Sequence, residues 1–162
     1  MNIFAIVGLI LAGGIIALIL MLEKRKTSQM ISKGIAVKRS IYFYKSQYTF
    51  ITNASDLAAI NSTINSSVLS EAKIFSKWDF SQGWIKFENH AKLGTFDALL
   101  EVGETRNERH TYHFRFLSWS GPEGEMNRHD VLSGNILLTA VEKAFIALDP
   151  DTGVEQKILK TK

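Results

Sequence analysis

The chain has 162 residues, a net charge of +3 and no cysteine. The missing thiols exclude disulfides, cysteine nucleophiles and cysteine-ligated zinc together. The modest basic excess gathers at Lys24, Arg25 and Lys26 and at Lys157, Lys160 and Lys162 rather than in a stripe interleaved with aromatics, so no nucleic-acid partner is expected.

Residues 3–22 read IFAIVGLILAGGIIALILML, without one charged or strongly polar side chain. About 20 apolar residues are what a helix needs to cross a hydrocarbon core of roughly 30 Å. Residues 1–22 are therefore assigned as a transmembrane anchor, and residues 23–34, opening on Glu23-Lys24-Arg25-Lys26, as a basic juxtamembrane connector. Lys and Arg beside a span hold that flank in the cytoplasm. The expected topology is a single pass through the cell membrane, N-terminus outside and the rest of the chain cytoplasmic. A cleaved secretory signal would carry a basic n-region and a shorter apolar core, and neither is present. Gly8 and Ala12 are four residues apart, as are Gly13 and Ala17. Small residues at this spacing let two helix backbones approach, so a protein partner or a second copy could dock there. No ionisable side chain interrupts the span, which favours an anchor over a transport pathway.

Residues 35–150 read as one α+β domain. Residues 35–45 are expected to be a strand, rich in β-branched and aromatic residues in its second half. Asn53-Ala54-Ser55-Asp56 opens a short helix, since such side chains cap free backbone N–H groups. Leu57, Ile60 and Ile64 give that helix its period, and Asn65, Ser66 and Ser67 end it. Strands are expected at 72–78, 83–88, 94–102 and 109–119. The last three alternate clearly: Ile85 and Phe87, then Phe96, Ala98, Leu100 and Val102, then Tyr112, Phe114 and Phe116. Residues 103–108 form a polar hairpin loop. From about residue 127 to 148 the period turns helical along Leu137, Val141, Phe145 and Leu148, and Asp149-Pro150 stops it. Residues 151–162 are a polar basic tail, with one possible extended piece at 154–159.

The expected fold is thus α+β: a transmembrane helix, then an antiparallel sheet of about five strands in the order β-α-β-β-β-β-α, packed against a long C-terminal helix. The layout resembles that of helix-grip domains, in which a sheet folds around a C-terminal helix and often leaves a cavity. The resemblance lies in architecture alone.

No catalytic constellation emerges. His110 and His113, three apart on a strand, face opposite sides, and no metal or cofactor site is assigned. Asp149-Pro150-Asp151-Thr152-Gly153 puts Gly where a calcium loop needs its fifth ligand. Three N-glycosylation sequons, at Asn53, Asn61 and Asn65, are incidental in a cytoplasmic domain. The aromatics Trp84, Tyr112, Phe114, Phe116 and Trp119 cluster on neighbouring strands, either as plain core or as the lining of a pocket. Arg115 would be the polar group able to orient an anionic ligand there. The implied function is a non-enzymatic binding or interaction module. The alternative is a domain for a small apolar ligand or lipid, held between sheet and helix.

Overall fold

Phe43 and Tyr44 are consecutive and both large rings are buried, whereas a strand sends neighbouring side chains to opposite faces. In the computed structural model, which describes residues 3–64, 67–91 and 94–159, they form a single 3-10 turn, Phe43–Lys45. The strand expected at 35–45 is therefore displaced. It begins at Ser46 instead, as β1 (Ser46–Thr52), where Tyr48 and Phe50 point inward and Gln47 and Ile51 outward.

The chain falls into two compact units, Met1–Ala36 and Val37–Lys162. The first is built on α1 (Ile3–Ser32), one continuous helix of 30 residues or about 45 Å. The connector expected at 23–34 is thus helical through Ser32. Gly34, at φ 66°, ends it: its N–H donates to Ile31 O (2.9 Å) and the Ile35 N–H to Met30 O (2.9 Å). This bond pair needs a left-handed residue, which glycine supplies without strain.

The second unit has two layers. Its remaining elements are α2 (Leu57–Ile64), α3 (Ser67–Glu71), β2 (Ile74–Asp79), β3 (Trp84–Ala91), β4 (Gly94–Val102), β5 (His110–Trp119), α4 (Arg128–Leu148) and β6 (Gly153–Ile158). Six antiparallel strands lie in the order β2-β3-β4-β5-β1-β6. The fold class is α+β as expected, with one more strand than the periodicity indicated. That strand, β6, occupies the expected tail and pairs with β1 from Ser46↔Ile158 to Ile51↔Gly153. Residues 65 and 66 of the expected helix stop lie outside the described residues, as do Lys160, Thr161 and Lys162.

Local chemistry sets the boundaries. Asp56 Oδ1 accepts from the Ala58 N–H (2.8 Å) at the start of α2. The β4–β5 hairpin narrows to Asn107-Glu108, both at positive φ, closed by reciprocal bonds between Arg106 and Arg109 (2.9 and 3.0 Å). Two central residues at positive φ define a turn whose twist matches its strands. Asn127 caps α4, its Oδ1 accepting from Asp130 N (3.0 Å).

The core lies between one sheet face and α4, flanked by α2 and α3. From the sheet come Tyr48, Phe50, Ile85, Phe87, Phe96, Ala98, Leu100, Tyr112, Phe114 and Phe116, and from α4 Leu137, Leu138, Val141 and Phe145. Leu148 and Val102, expected on apolar stripes, are exposed because they stand at the ends of their elements.

Candidate functional site

Helices α2, α3 and α4 pack on one face of the sheet, and the opposite face carries the outward side chains of its strands. Alternation in β3, β4, β5 and β1 puts Lys86, Glu88, Asp97, Glu101, His113, Arg115 and Gln47 there. The charges are paired within and across strands: Lys86 Nζ lies 3.0 Å from Glu88 of its own strand and 3.3 Å from Asp97 of β4, and Arg115 Nη2 lies 3.2 Å from Glu101 of β4. Glu88, followed by Asp97, raises the Lys86 ammonium above its ordinary value. His113 Nδ1 sits 3.0 Å from Thr49 Oγ1 and 3.2 Å from Gln47 Nε2. His110 pairs with Thr52 on the helix side, so the two histidines do face opposite ways.

The aromatic set divides. Tyr112, Phe114 and Phe116 are buried and pack on each other and on the rings around them: Phe114–Phe116 at 5.3 Å, Phe96–Phe116 at 5.4 Å, Phe87–Phe114 at 6.3 Å and Tyr112–Phe145 at 5.2 Å. Edge-to-face packing at these separations is that of a core. Trp84 does not join them. It alternates with Ile85 and Phe87, faces the open side, and donates from Nε1 to Gln82 Oε1 (3.3 Å). Trp119 reaches the core side only because the register shifts: Ala98 pairs with Phe116 and Asp97 with Ser118, leaving Leu117 as an extra residue. A bulge of this kind turns the following side chains over. Trp119 then packs on Tyr44 at 4.9 Å and donates to Gly124 O (2.8 Å). Arg115 is on the open face with Glu101, separated from the buried rings by the sheet itself.

Three polar clusters fasten the sheet to its surroundings. Sequence periodicity could not find the first two, because their members lie 80 to 103 positions apart. Arg39 reaches Asn135 (3.0 Å) and Glu142, while Asn135 Nδ2 donates to Val37 O (2.7 Å). These bonds draw residues 37–39 onto α4 and away from the sheet. Glu125 accepts from Tyr44 (2.5 Å) and Lys45 (2.7 Å), which hold its carboxyl below the usual range, Lys45 most strongly. Asp130 is buried beside Ser120 and Asn127, and burial pushes its carboxyl up; its Oδ1 finds no hydrogen-bond donor among the described residues. Tyr48, buried and bonded to Phe43 O (3.2 Å), has its phenol raised to about 12 by desolvation.

Asp149 closes α4 onto β1. It accepts from Asn53 N (2.7 Å), Thr52 Oγ1 (3.0 Å), Asp151 N (3.1 Å) and Arg109 Nη2 (3.2 Å). The Asn53 amide, chief among these donors, holds its carboxyl below the ordinary value. A depressed folded value means stability fully present above the unfolded carboxyl value and lost as pH falls through the folded one. Asp149→Asn should therefore lower Tm at neutral pH and flatten the drop in Tm on acidification below about pH 4. Thermal unfolding of both chains across pH checks this, and an unchanged acid slope would refute it.

In the first unit, Lys24, Arg25 and Lys26 are exposed on α1. Gly13 has open space around it, and Ala17 is exposed. The side chains of the second pair, Gly8 and Ala12, lie outside the described residues. Among the described residues no group of three His, Asp or Glu side chains converges as a metal site. No protein-family model matches the chain, and a search of curated proteins finds no significant match.

Proposed function

We propose that the chain is a single-pass membrane-anchored protein whose α+β unit is a non-enzymatic interaction module at the cytoplasmic face. One observation carries the reading. The uncharged residues 3–22 and the cations Lys24, Arg25 and Lys26 share a single unbroken helix, the arrangement that positions a span with its basic flank in the cytoplasm. A two-layer unit with an ion-paired outer sheet face and edge strands β2 and β6 that no other described strand pairs supports binding by surface rather than chemistry in a cleft. The burial of Tyr112, Phe114 and Phe116 against one another favours this over a ligand held between sheet and helix.

The full chain should stay with the membrane pellet through an alkaline carbonate wash. A Ser28→Cys variant, unique in a chain without cysteine, should resist a membrane-impermeant thiol reagent in intact cells and react after lysis. Release by carbonate would defeat the anchor, and labelling of intact cells would reverse the sidedness.

A further inference from the structure

The edge strand β6 is exposed along nearly all of its length. It is the last strand of the sheet, and its outer edge carries Ile158, 76 % exposed, more than any other large apolar side chain among the described residues. Val154 is 44 % exposed on the same face. The register with β1 puts Val154, Gln156 and Ile158 on the helix side and Glu155 and Lys157 on the open side. An uncovered edge of this kind is a template for another strand.

We propose that β6 joins β6 of a second copy in an antiparallel pair centred on Gln156, fusing two sheets into one. The sequence of the strand, Gly153-Val154-Glu155-Gln156-Lys157-Ile158, singles out this register. About an axis at Gln156, Val154 of each copy faces Ile158 of the other, and Glu155 faces Lys157. Apart from Gln156, which meets Gln156 of the other copy at the axis, the cross-strand neighbours are then apolar with apolar and anion with cation, the pairings that stabilise a sheet. A slip of two residues one way sets Glu155 against Glu155, and the other way Lys157 against Lys157. A slip of one residue turns the side chains to the wrong face. The contact is isologous, so it closes at two copies. Glu155 already meets Arg106 (3.1 Å), whose charge keeps the carboxylate on the open face where Lys157 of the other copy arrives. The inference rests on the interaction-module reading and names its partner, a second copy of this chain.

Opposed residues of an antiparallel pair have Cα atoms about 4.5–5.5 Å apart, within disulfide reach. Gln156→Cys in the full chain, in its membrane and under copper–phenanthroline oxidation, should therefore form a disulfide dimer at least about tenfold faster than Thr105→Cys on an exposed loop, because pairing raises the effective concentration. Glu155→Lys and Lys157→Glu chains should each lose the dimer alone, facing like charges. Mixed, they should pair with each other, recovered by a tag on one copy. Equal rates for Cys at 156 and 105, or no preference in the mixture, would overturn the proposal. The carbonate wash on the same samples reports the anchor separately, so a failed dimer and a failed anchor are told apart.

Discussion

Replacing Phe145 with alanine will remove much of the stability of the α+β unit, about 3–5 kcal/mol of the roughly 5–15 that a domain holds. The ring has no exposed surface, stacks on Phe50 at 4.4 Å and 13°, and tilts against Tyr112 at 5.2 Å. It sits where α4 crosses β1 and β5, the two strands bearing Phe50 and Tyr112. Truncation loses the transfer energy of the ring and leaves a void that α4 cannot fill by sliding, since Asp149 ties its C-terminal end to Thr52 and Asn53. Denaturant unfolding of the full chain in detergent, followed by circular dichroism, measures the loss. The result also separates core from pocket. A cost below about 1 kcal/mol would mean that the ring faces space rather than packed atoms, and would favour an apolar ligand between sheet and helix.

Much of this architecture is legible before any coordinates. Strands β3, β4 and β5 alternate so regularly that their inward faces follow from period alone, and Phe96, Ala98, Leu100, Phe114 and Phe116 are all buried. Two failures have physical causes. Residues 35–45 carry strand-favouring residues, but Arg39 is drawn to α4 by Asn135 and Glu142, and Phe43 and Tyr44 enter the core together from a 3-10 turn. Strand β6 carries three polar residues in a row, Glu155, Gln156 and Lys157, and is exposed at nearly every position, so the sequence marks only an extended piece at 154–159 in the tail and the pairing with β1 makes it a strand. Within the candidate pocket set, Trp84 and Arg115 fall on the open face by plain alternation. Trp119 escapes alternation because of the bulge at Leu117, a backbone event with no signature in side-chain period.

The same care applies to the membrane reading, because two helices satisfy length and hydropathy in different ways. Residues 128–148 of α4 are also long and apolar enough to cross a membrane. Yet α4 buries Leu137, Leu138, Val141 and Phe145 against the sheet and carries Glu142 in an ion pair with Arg39. Its apolar face is spent on a protein core, and a charge in a bilayer would be costly. Residues 3–22 have no such polar face in the sequence: apolar residues surround the helix rather than striping it, as in helices that are wholly buried, whether in a bilayer or in a protein core. The proposal of a single anchor at α1 rests on that contrast between one-sided and all-round hydrophobicity.

A second large effect is expected at a position that looks innocuous. Gly121 has extended backbone that any residue adopts, yet a Cβ there would lie 1.9 Å from Glu125 O and 3.1 Å from Asn127 N. Both obstacles are backbone, which cannot rotate aside. Gly121→Ala must therefore open the turn in which Glu125 N bonds Pro122 O (3.0 Å) and Asn127 N reaches Ser120 O (3.4 Å). Opening it shifts Glu125 from Tyr44 and Lys45, Gly124 O from Trp119, and Asn127 from its capping place on α4. The expected cost is on the order of 1–3 kcal/mol, with a change in tryptophan fluorescence as Trp119 loses its acceptor. Gly124→Ala gives the contrast. Gly124 is at φ 74° but has open space around it, so only the backbone preference opposes a side chain, roughly 1–2 kcal/mol, and Trp119 keeps its acceptor and its fluorescence. If Gly121→Ala unfolds no more easily than Gly124→Ala and leaves the fluorescence unchanged, the turn is not the tight link between β5 and α4 that its geometry describes, and Glu125 is free to serve the surface rather than hold Tyr44.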